Sequence, residues 1–241
     1  MRIAGLGKTS LVDYPGKIAA VVFSPLCNFD CYYCHNRSLI RNIPEDQVIS
    51  EEEVFAYLRK RVGKLDGVVL TGGEPTLQPD LIDFAGRVKA LGYTVKLDTN
   101  GSDPQALRDA VHSGYFDYIA MDIKAPRERY REICGVDVDM DAVGESVDLL
   151  MEDAIPYEFR TTVIPRLTRT DIVAIGRWIE GARQYALQQY QRPEFSEEVI
   201  DLRLGERPYP AEELEAMRQA AAPYVETCLL RGVVEGRPLL Q

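Results

Sequence analysis

The chain has 241 residues, 46% of them apolar, and a formal net charge of −10. That length suits one large domain or two small ones, and the acidic balance weighs against nucleic acid or an anionic membrane as partner. No run of 18 or more apolar residues is present to span a bilayer, and the opening MRIAGLGKTSLVDYPGK lacks the apolar core of a secretory signal, so a cytoplasmic protein is expected.

In chain order, IAAVVFSP at 18–25 predicts a strand rich in β-branched residues. A helix follows over 50–62, with Ser50 as its N-cap and Glu53 completing a capping box. GVVLTGG (67–73) predicts a second strand, 79–92 a helix ending at Gly92, and YTVKLDTNG (93–101) a third strand. A third helix spans 103–114, with Asp103 as cap and Pro104 at its first position. YFDYIAMDIKAP (115–126) is strand four, 138–154 helix four, YEFRTTVIP (157–165) strand five, and 170–182 a helix capped by Thr170. YALQQY (185–190), a late helix over 211–223 and a last strand over 224–233 complete the pattern.

Strands and helices alternating every 25 residues or so predict repeated βαβ units and a parallel sheet. About six such units favour an α/β fold of the partial (β/α)6 TIM-barrel type over a small doubly wound sheet. No linker or composition break divides the chain, so 1–241 reads as a single domain. The loosest stretches, 126–138 and 191–210, follow strand C-terminal ends. The notable polar groups fall there too: Cys27 to Cys34, TGGEP, DTNG, DIK and QQY, with Arg160 alone lying inside its strand. In a barrel such ends share one rim.

CNFDCYYC at 27–34 holds three of the five cysteines in C-x3-C-x2-C spacing, and His35 and His112 are the only histidines. Thiolates in one tight loop can grip three corners of a four-iron cluster and leave the fourth iron open. A closed zinc site is the competing reading and needs a fourth ligand, such as His35 or a distant cysteine. Zinc loops usually come as C-x2-C pairs, and no second pair exists here. Three unligated neighbouring thiols would be reactive. The cluster reading is therefore favoured. Cys134 and Cys228 stand alone and read as small buried apolar residues.

The cysteine motif with Tyr33, followed by a strand ending in GGEP, resembles the radical S-adenosylmethionine enzymes. KTSLVDYPGKIAAVVFSPLCNFDCYYCHN, TGGEPTLQPDL, KLDTNGS, DYIAMDIKAP and YEFRTTVIP resemble, more narrowly, the activating enzymes of glycyl radical enzymes. The KTSLVDYPGK opening and LQQYQRP look most like those acting on anaerobic ribonucleoside-triphosphate reductase. The resemblance covers nearly the whole chain. It implies one [4Fe-4S] cluster on Cys27, Cys31 and Cys34, whose open iron is chelated by the amino and carboxylate groups of S-adenosylmethionine. The reduced cluster would cleave that cofactor to methionine and a 5′-deoxyadenosyl radical, which abstracts hydrogen from a glycine of a partner enzyme.

The remaining motifs each have a plain reading beside the one the resemblance implies. Gly72 and Gly73 could simply turn the chain; by resemblance they and Glu74 hold the cofactor's amino group. Asp98, Thr99 and Asn100 could be an Asn-Gly turn, and Asp122 and Lys124, two apart on one strand face, a simple ion pair. By resemblance Asp122 contacts ribose or a bound cation, Lys124 and Thr99 address the carboxylate, and Asp98 and Asp122 could share a monovalent cation. Arg160 within a β-branched strand needs a partner carboxylate, and by resemblance stands beside the cofactor with Thr162 near the adenine. Tyr33 would pack on or beside the adenine, and Tyr190 aligns where related activases carry a histidine. His35 is either a group behind the cluster or an exposed loop histidine, and His112 near a helix end has no assigned role.

With no ferredoxin-like insert, the chain should carry one cluster and need an external electron donor such as flavodoxin or ferredoxin. Two rivals stay open: a radical enzyme acting on another glycyl radical enzyme or on a small molecule, similar to 7-carboxy-7-deazaguanine synthase, and a non-catalytic zinc or iron–sulfur module.

Overall fold

A computed structural model describes residues 1–192 and 202–233. Eight strands follow chain order in an open, mostly parallel sheet. They are β1 (Gly5–Ser10), β2 (Ala19–Ser24), β3 (Gly67–Gly72), β4 (Thr94–Thr99), β5 (Tyr118–Asp122), β6 (Tyr157–Val163), β7 (Gln184–Gln189) and β8 (Thr227–Arg231). The helices are α1 (Glu51–Arg61), α2 (Leu81–Lys89), α3 (Pro104–Ser113), α4 (Tyr130–Cys134), α5 (Met140–Met151), α6 (Arg169–Trp178) and α7 (Ala211–Ala221). The α/β alternation is as expected. The strand that sequence patterning misses is β1, which pairs antiparallel with β2 (Gly5 opposite Phe23). Its GLGKTS has no period-two alternation and stays partly exposed along its length.

The chain forms two compact units. The first comprises Met1–Asp30, Asn36–Met121 and Asp139–Tyr157. Its parallel strands are in register, so Val21, Val69, Lys96 and Tyr118 lie side by side in one row. Tyr14, Ala19, Val21 and Val69 pack together, with Phe23 and Tyr118 against them. The alternate row, Val22, Leu70, Leu97 and Ile119, is fully buried, and in the first row only Tyr118 is partly exposed, so both faces of these strands are covered, as parallel strands require. The helix starts follow the sequence signals. Ser50 Oγ accepts from Glu53 N (3.2 Å) and Asp103 Oδ1 from Ala106 N (2.9 Å), and Gly114 closes α3 at φ +69°.

The second unit comprises Cys31–His35, Asp122–Val138 and the described residues from Glu158 onward. Here β6, β7 and β8 pair in parallel, with Arg160 opposite Ala186 and Gln184 opposite Thr227. The cap of α6 is Thr168 and not Thr170: Thr168 Oγ1 accepts from Asp171 N while Asp171 Oδ2 accepts from Thr168 N (2.7 Å). Both threonines precede the apolar pattern, but only Thr168 has an acid three residues on, which closes the reciprocal box. The loose stretch 126–138 holds a 3-10 turn and α4, closed by Gly135 at φ +71°. Of the stretch 191–210, residues 193–201 lie outside the described part of the chain. No helix among the described residues is long and apolar enough to cross a membrane.

Glu158 on β6 is fully buried, and its carboxylate takes both Arg231 terminal nitrogens (2.7 and 2.5 Å) and the Gln184 amide (2.7 Å). A buried carboxylate is tolerated only when paired this completely. Glu158→Ala leaves Arg231 and Gln184 without that acceptor, and is expected to lower unfolding stability by about 3 kcal/mol. Denaturant titration followed by circular dichroism measures the loss.

Candidate functional site

In the first unit the cysteine loop leaves the end of β2 and is fastened by main-chain bonds. Gly73 N donates to Ser24 O (2.8 Å), Glu74 N to Leu26 O (2.6 Å), Leu26 N to Leu39 O (2.8 Å) and Cys27 N to Ile40 O (3.0 Å). Leu26, just before the first cysteine, sits at φ +73°, a left-handed conformation that costs a non-glycine residue about 1–2 kcal/mol. The bonds on both sides of it hold that conformation in place. Sequence reasoning assigns Gly72 and Gly73 to the approach of a ligand. On the Cβ side, the nearest neighbour of each is the chain itself. A Cβ on Gly72 would stand 2.3 Å from Ser24 O, and one on Gly73 2.0 Å from Leu26 O.

Glu74 is buried and collects four donors. Its Oε1 accepts from Thr76 N (3.1 Å), Thr76 Oγ1 (2.7 Å) and Thr99 Oγ1 (2.8 Å), and its Oε2 from Asn100 N (2.7 Å). Burial pushes its carboxyl above the usual range, against the pull of those donors. Thr99 is thus engaged within the chain. Asn100 is a residue whose part sequence reasoning missed. Its side-chain amide donates to Asn28 Oδ1 (2.9 Å) and reaches Cys27 Sγ at 3.9 Å, while Phe29 N donates to the same sulfur at 3.4 Å. Asp98, one strand position below Thr99, pairs with Lys96, another residue without an expected role.

In the second unit Cys34 N donates to Cys31 O (3.0 Å), closing a turn around the other two loop cysteines. Tyr33 is buried, and burial first, then the neighbouring Cys31, push its hydroxyl well above the usual phenol range. Lys124 interacts with both Cys31 and Tyr33, and its ammonium donates to Asp122 Oδ2 (2.9 Å). Burial works against its charge, yet Asp122 holds its pKa well above the usual value. Arg160 Nε donates to Asp122 Oδ1 (2.8 Å). Burial alone would raise the Asp122 carboxyl, but Arg160 and Lys124 hold it far below the usual range. The strand charge at Arg160 therefore has the carboxylate partner that its position demands. Tyr32 meets Tyr33 edge-on (5.5 Å), and the Arg203 guanidinium lies 4.1 Å from the Tyr32 ring centre. Thr162 is half-buried, and Tyr190 is buried near Tyr32. His35 and His112 are exposed, while Cys134 and Cys228 are buried as expected.

Among the described residues no three or more His, Cys, Asp or Glu side chains are gathered closely enough to hold a metal ion. The donor chemistry still fits an iron–sulfur cluster. Soft thiolate donors stand on one eight-residue stretch, and none of the five cysteines is in a disulfide. Amide N–H groups are aimed at Cys27 Sγ, and such hydrogen bonds to sulfur help set a cluster's potential.

Residues 21–179 match the family model described as the Radical SAM superfamily. The chain is 30% identical over 238 residues to a Methanocaldococcus jannaschii protein named "putative glycyl-radical enzyme activating enzyme", covering 96% of each. It is also 30% identical over 156 residues to a "probable GTP 3',8-cyclase" of Saccharolobus islandicus, covering 63% of this chain and 49% of that protein. Among solved structures, SuiB of Streptococcus suis superposes with a TM-score of 0.67 at 14% identity, over 88% of this chain and 48% of the other. The chain spans about half the length of the cyclase and of SuiB.

Gly73→Ala should misplace the root of the cysteine loop. Iron and sulfide content after anaerobic reconstitution is expected to fall to less than about a third of wild type, because the added methyl would meet a carbonyl and not a yielding side chain. Asp122 predicts a pH dependence. Its folded pKa lies below the unfolded value, so its pairing contributes in full above about pH 4 and is lost as pH falls further. The stability difference between wild type and Asp122→Asn should therefore shrink from about pH 5 to about pH 2, as denaturation at each pH would show.

Proposed function

Because the chain belongs to the radical S-adenosylmethionine superfamily, we propose that it is an activating enzyme that installs a glycyl radical on a partner enzyme, namely an anaerobic ribonucleoside-triphosphate reductase. The observation that carries this reading is the likeness to a protein of that named kind along 96% of both chains. The cluster and S-adenosylmethionine, when bound, supply the one-electron chemistry that abstracts a hydrogen atom. Cys27, Cys31 and Cys34 hold the cluster. In the first unit, the backbone of Gly72 and Gly73 and the Glu74 carboxylate meet the cofactor's amino group. Asn100 and Phe29 direct N–H groups at Cys27 Sγ. In the second unit, Lys124 and Arg160 present positive charge around Asp122, the complement of a carboxylate or a ribose edge. Tyr33 and Tyr190 supply apolar surface with a hydroxyl, and Thr162 a hydroxyl for the adenine. One domain, one cluster and a flavodoxin or ferredoxin as donor complete the reading, which is that of a cytoplasmic enzyme.

A second reading, action on a small molecule, draws support from the similarity to the cyclase. That similarity covers 63% of this chain, and whole-length likeness favours the first reading. The deciding experiment reconstitutes the protein anaerobically, reduces it, adds S-adenosylmethionine and assays 5′-deoxyadenosine. The same sample is mixed with the source organism's anaerobic ribonucleotide reductase and examined by electron paramagnetic resonance. A glycyl-type doublet on the reductase is expected, and Cys27→Ala should abolish both doublet and cofactor cleavage. Cleavage without a doublet moves the assignment to another partner or to a small molecule. Zinc without acid-labile sulfide in the purified protein sinks the radical reading altogether.

A further inference from the structure

The KTSLVDYPGK opening builds a tight turn between β1 and β2 that the proposed function leaves without a part. Ser10 Oγ accepts from Val12 N and Asp13 N (3.2 Å each) and donates to Asp13 Oδ2, and Lys17 N donates to Tyr14 O (3.1 Å). Tyr14 is buried against Ala19, Val21 and Val69, and so roots the turn in the core. Turn tips are ordinarily polar, and this one has the usual Ser, Asp, Pro and Gly. Between them it holds Leu11 and Val12 out in solvent, 73% and 81% exposed. Ile18 and Val62 are exposed at the same end of the first unit. Ile18 N donates to Asp66 Oδ2 and Asp66 N to Ile18 O (2.8 Å each), Val62 pairs with Leu65, and Tyr57 of α1 donates to Lys8 O. Four of the seven large apolar side chains exposed among the described residues are therefore gathered here. Single apolar residues are ordinary on a surface, whereas a cluster of them marks an interaction site.

The charge around this cluster is basic, in a chain whose net charge is −10. Residues 8–18 and 57–67 carry Lys8, Lys17, Arg59, Lys60, Arg61 and Lys64 against only Asp13 and Asp66. Both acids accept the hydrogen bonds named above, and none of the six cations is in an ion pair among the described residues. The three on α1 complement the carboxyl end of their helix, but Lys8, Lys17 and Lys64 lie outside it. An apolar centre with a cationic rim fits a protein surface of the opposite kind, an apolar pocket rimmed by acids. A bilayer fits less well. Two aliphatic side chains insert weakly, no aromatic ring stands at the tip, and the acidic remainder of the chain is repelled by anionic lipid. Two copies meeting across a two-fold axis would set cation against cation. An electron donor has to approach the cysteine end. The patch instead lies at the start of β2, roughly 20 Å along that strand from where the cysteine loop leaves. We propose that Leu11 and Val12, ringed by these cations, dock the protein on an acidic surface with an apolar pocket, carried by the partner enzyme that receives the radical. This rests on the proposed function.

The test titrates the source organism's anaerobic ribonucleotide reductase into reconstituted protein and reads the rate of glycyl-doublet formation by electron paramagnetic resonance. Formation of 5′-deoxyadenosine without the reductase serves as the measure of an intact radical site. Leu11→Ser with Val12→Ser should raise the KM for the reductase about tenfold, and leave kcat and 5′-deoxyadenosine formation within about twofold of wild type. Lys8→Glu with Lys64→Glu should do the same at low salt, and its difference from wild type should shrink as ionic strength rises. An unchanged KM in either variant overturns the inference: in the first the apolar tip is not buried by the partner, and in the second the partner surface is not acidic. Wild-type co-sedimentation with phosphatidylglycerol vesicles that the first variant loses overturns it in favour of a membrane. A wild-type dimer that the first variant dissociates, as light scattering would show, overturns it in favour of self-association. A wild-type protein that raises no doublet on the reductase defeats the functional reading itself, and the docking inference falls with it. A doublet with an unchanged KM removes the docking inference alone.

Discussion

The meeting of two main chains at the ends of β2 and β3 is the constraint on which the cysteine loop depends. Parallel strands set side by side would normally diverge once their ladder stops. Here Gly73 N and Glu74 N continue to bond to Ser24 O and Leu26 O, and the absence of side chains at positions 72 and 73 lets the chains close to a distance that no Cβ would allow. That contact turns Leu26 into the left-handed region and sends the chain out as a loop at the next residue, Cys27. Asn100, the third residue of DTNG and one past the end of β4, then reaches Cys27. Three strand ends are thereby tied to one cysteine by groups that are mostly backbone.

Charge inside the sheet follows one pattern in both units. KLD at 96–98, inside β4, and DIK at 122–124, at the end of β5 and just past it, each place an acid and a lysine two residues apart and in contact. Arg160 joins the second pair from β6, and Arg231 closes on Glu158 from β8. Each ion found deep in a strand has an opposite charge within bonding reach, as the cost of an unpaired buried charge requires.

Much of this was legible before any coordinates. The βα rhythm, the caps at Ser50 and Asp103 and the C-x3-C-x2-C loop are local signals, and local signals survive folding. The parts that were not legible depend on contacts between distant segments. Strand β1 is an edge strand with two glycines and gains its conformation from β2, not from its own pattern. The cap of α6 is a different case: Asp171, three residues after Thr168, is a local capping-box signal that the sequence carries. Nothing beside Lys96 in the sequence marks it as buried, because burial is a property of the row it joins, not of its neighbours in sequence. KLD is the available signal: an acid and base at period two inside a strand whose alternate residues, Val95 and Leu97, are apolar. The glycines of TGGEP leave room on their Cβ side for the loop root at Ser24 and Leu26, a contact that no local pattern announces.

The way that root is fastened divides its residues by how freely they can vary over evolutionary time. Pro25, Leu26, Leu39 and Ile40 hold the loop through carbonyls and amides that nearly any amino acid supplies, so drift at those positions should leave the anchor intact. Gly72 and Gly73 have no such latitude, since even alanine would collide with main chain. A lineage could rewrite the surface around its cysteines to suit a new partner while these two positions stay fixed, so one scaffold can serve many reactions with little change at its hinge of strands.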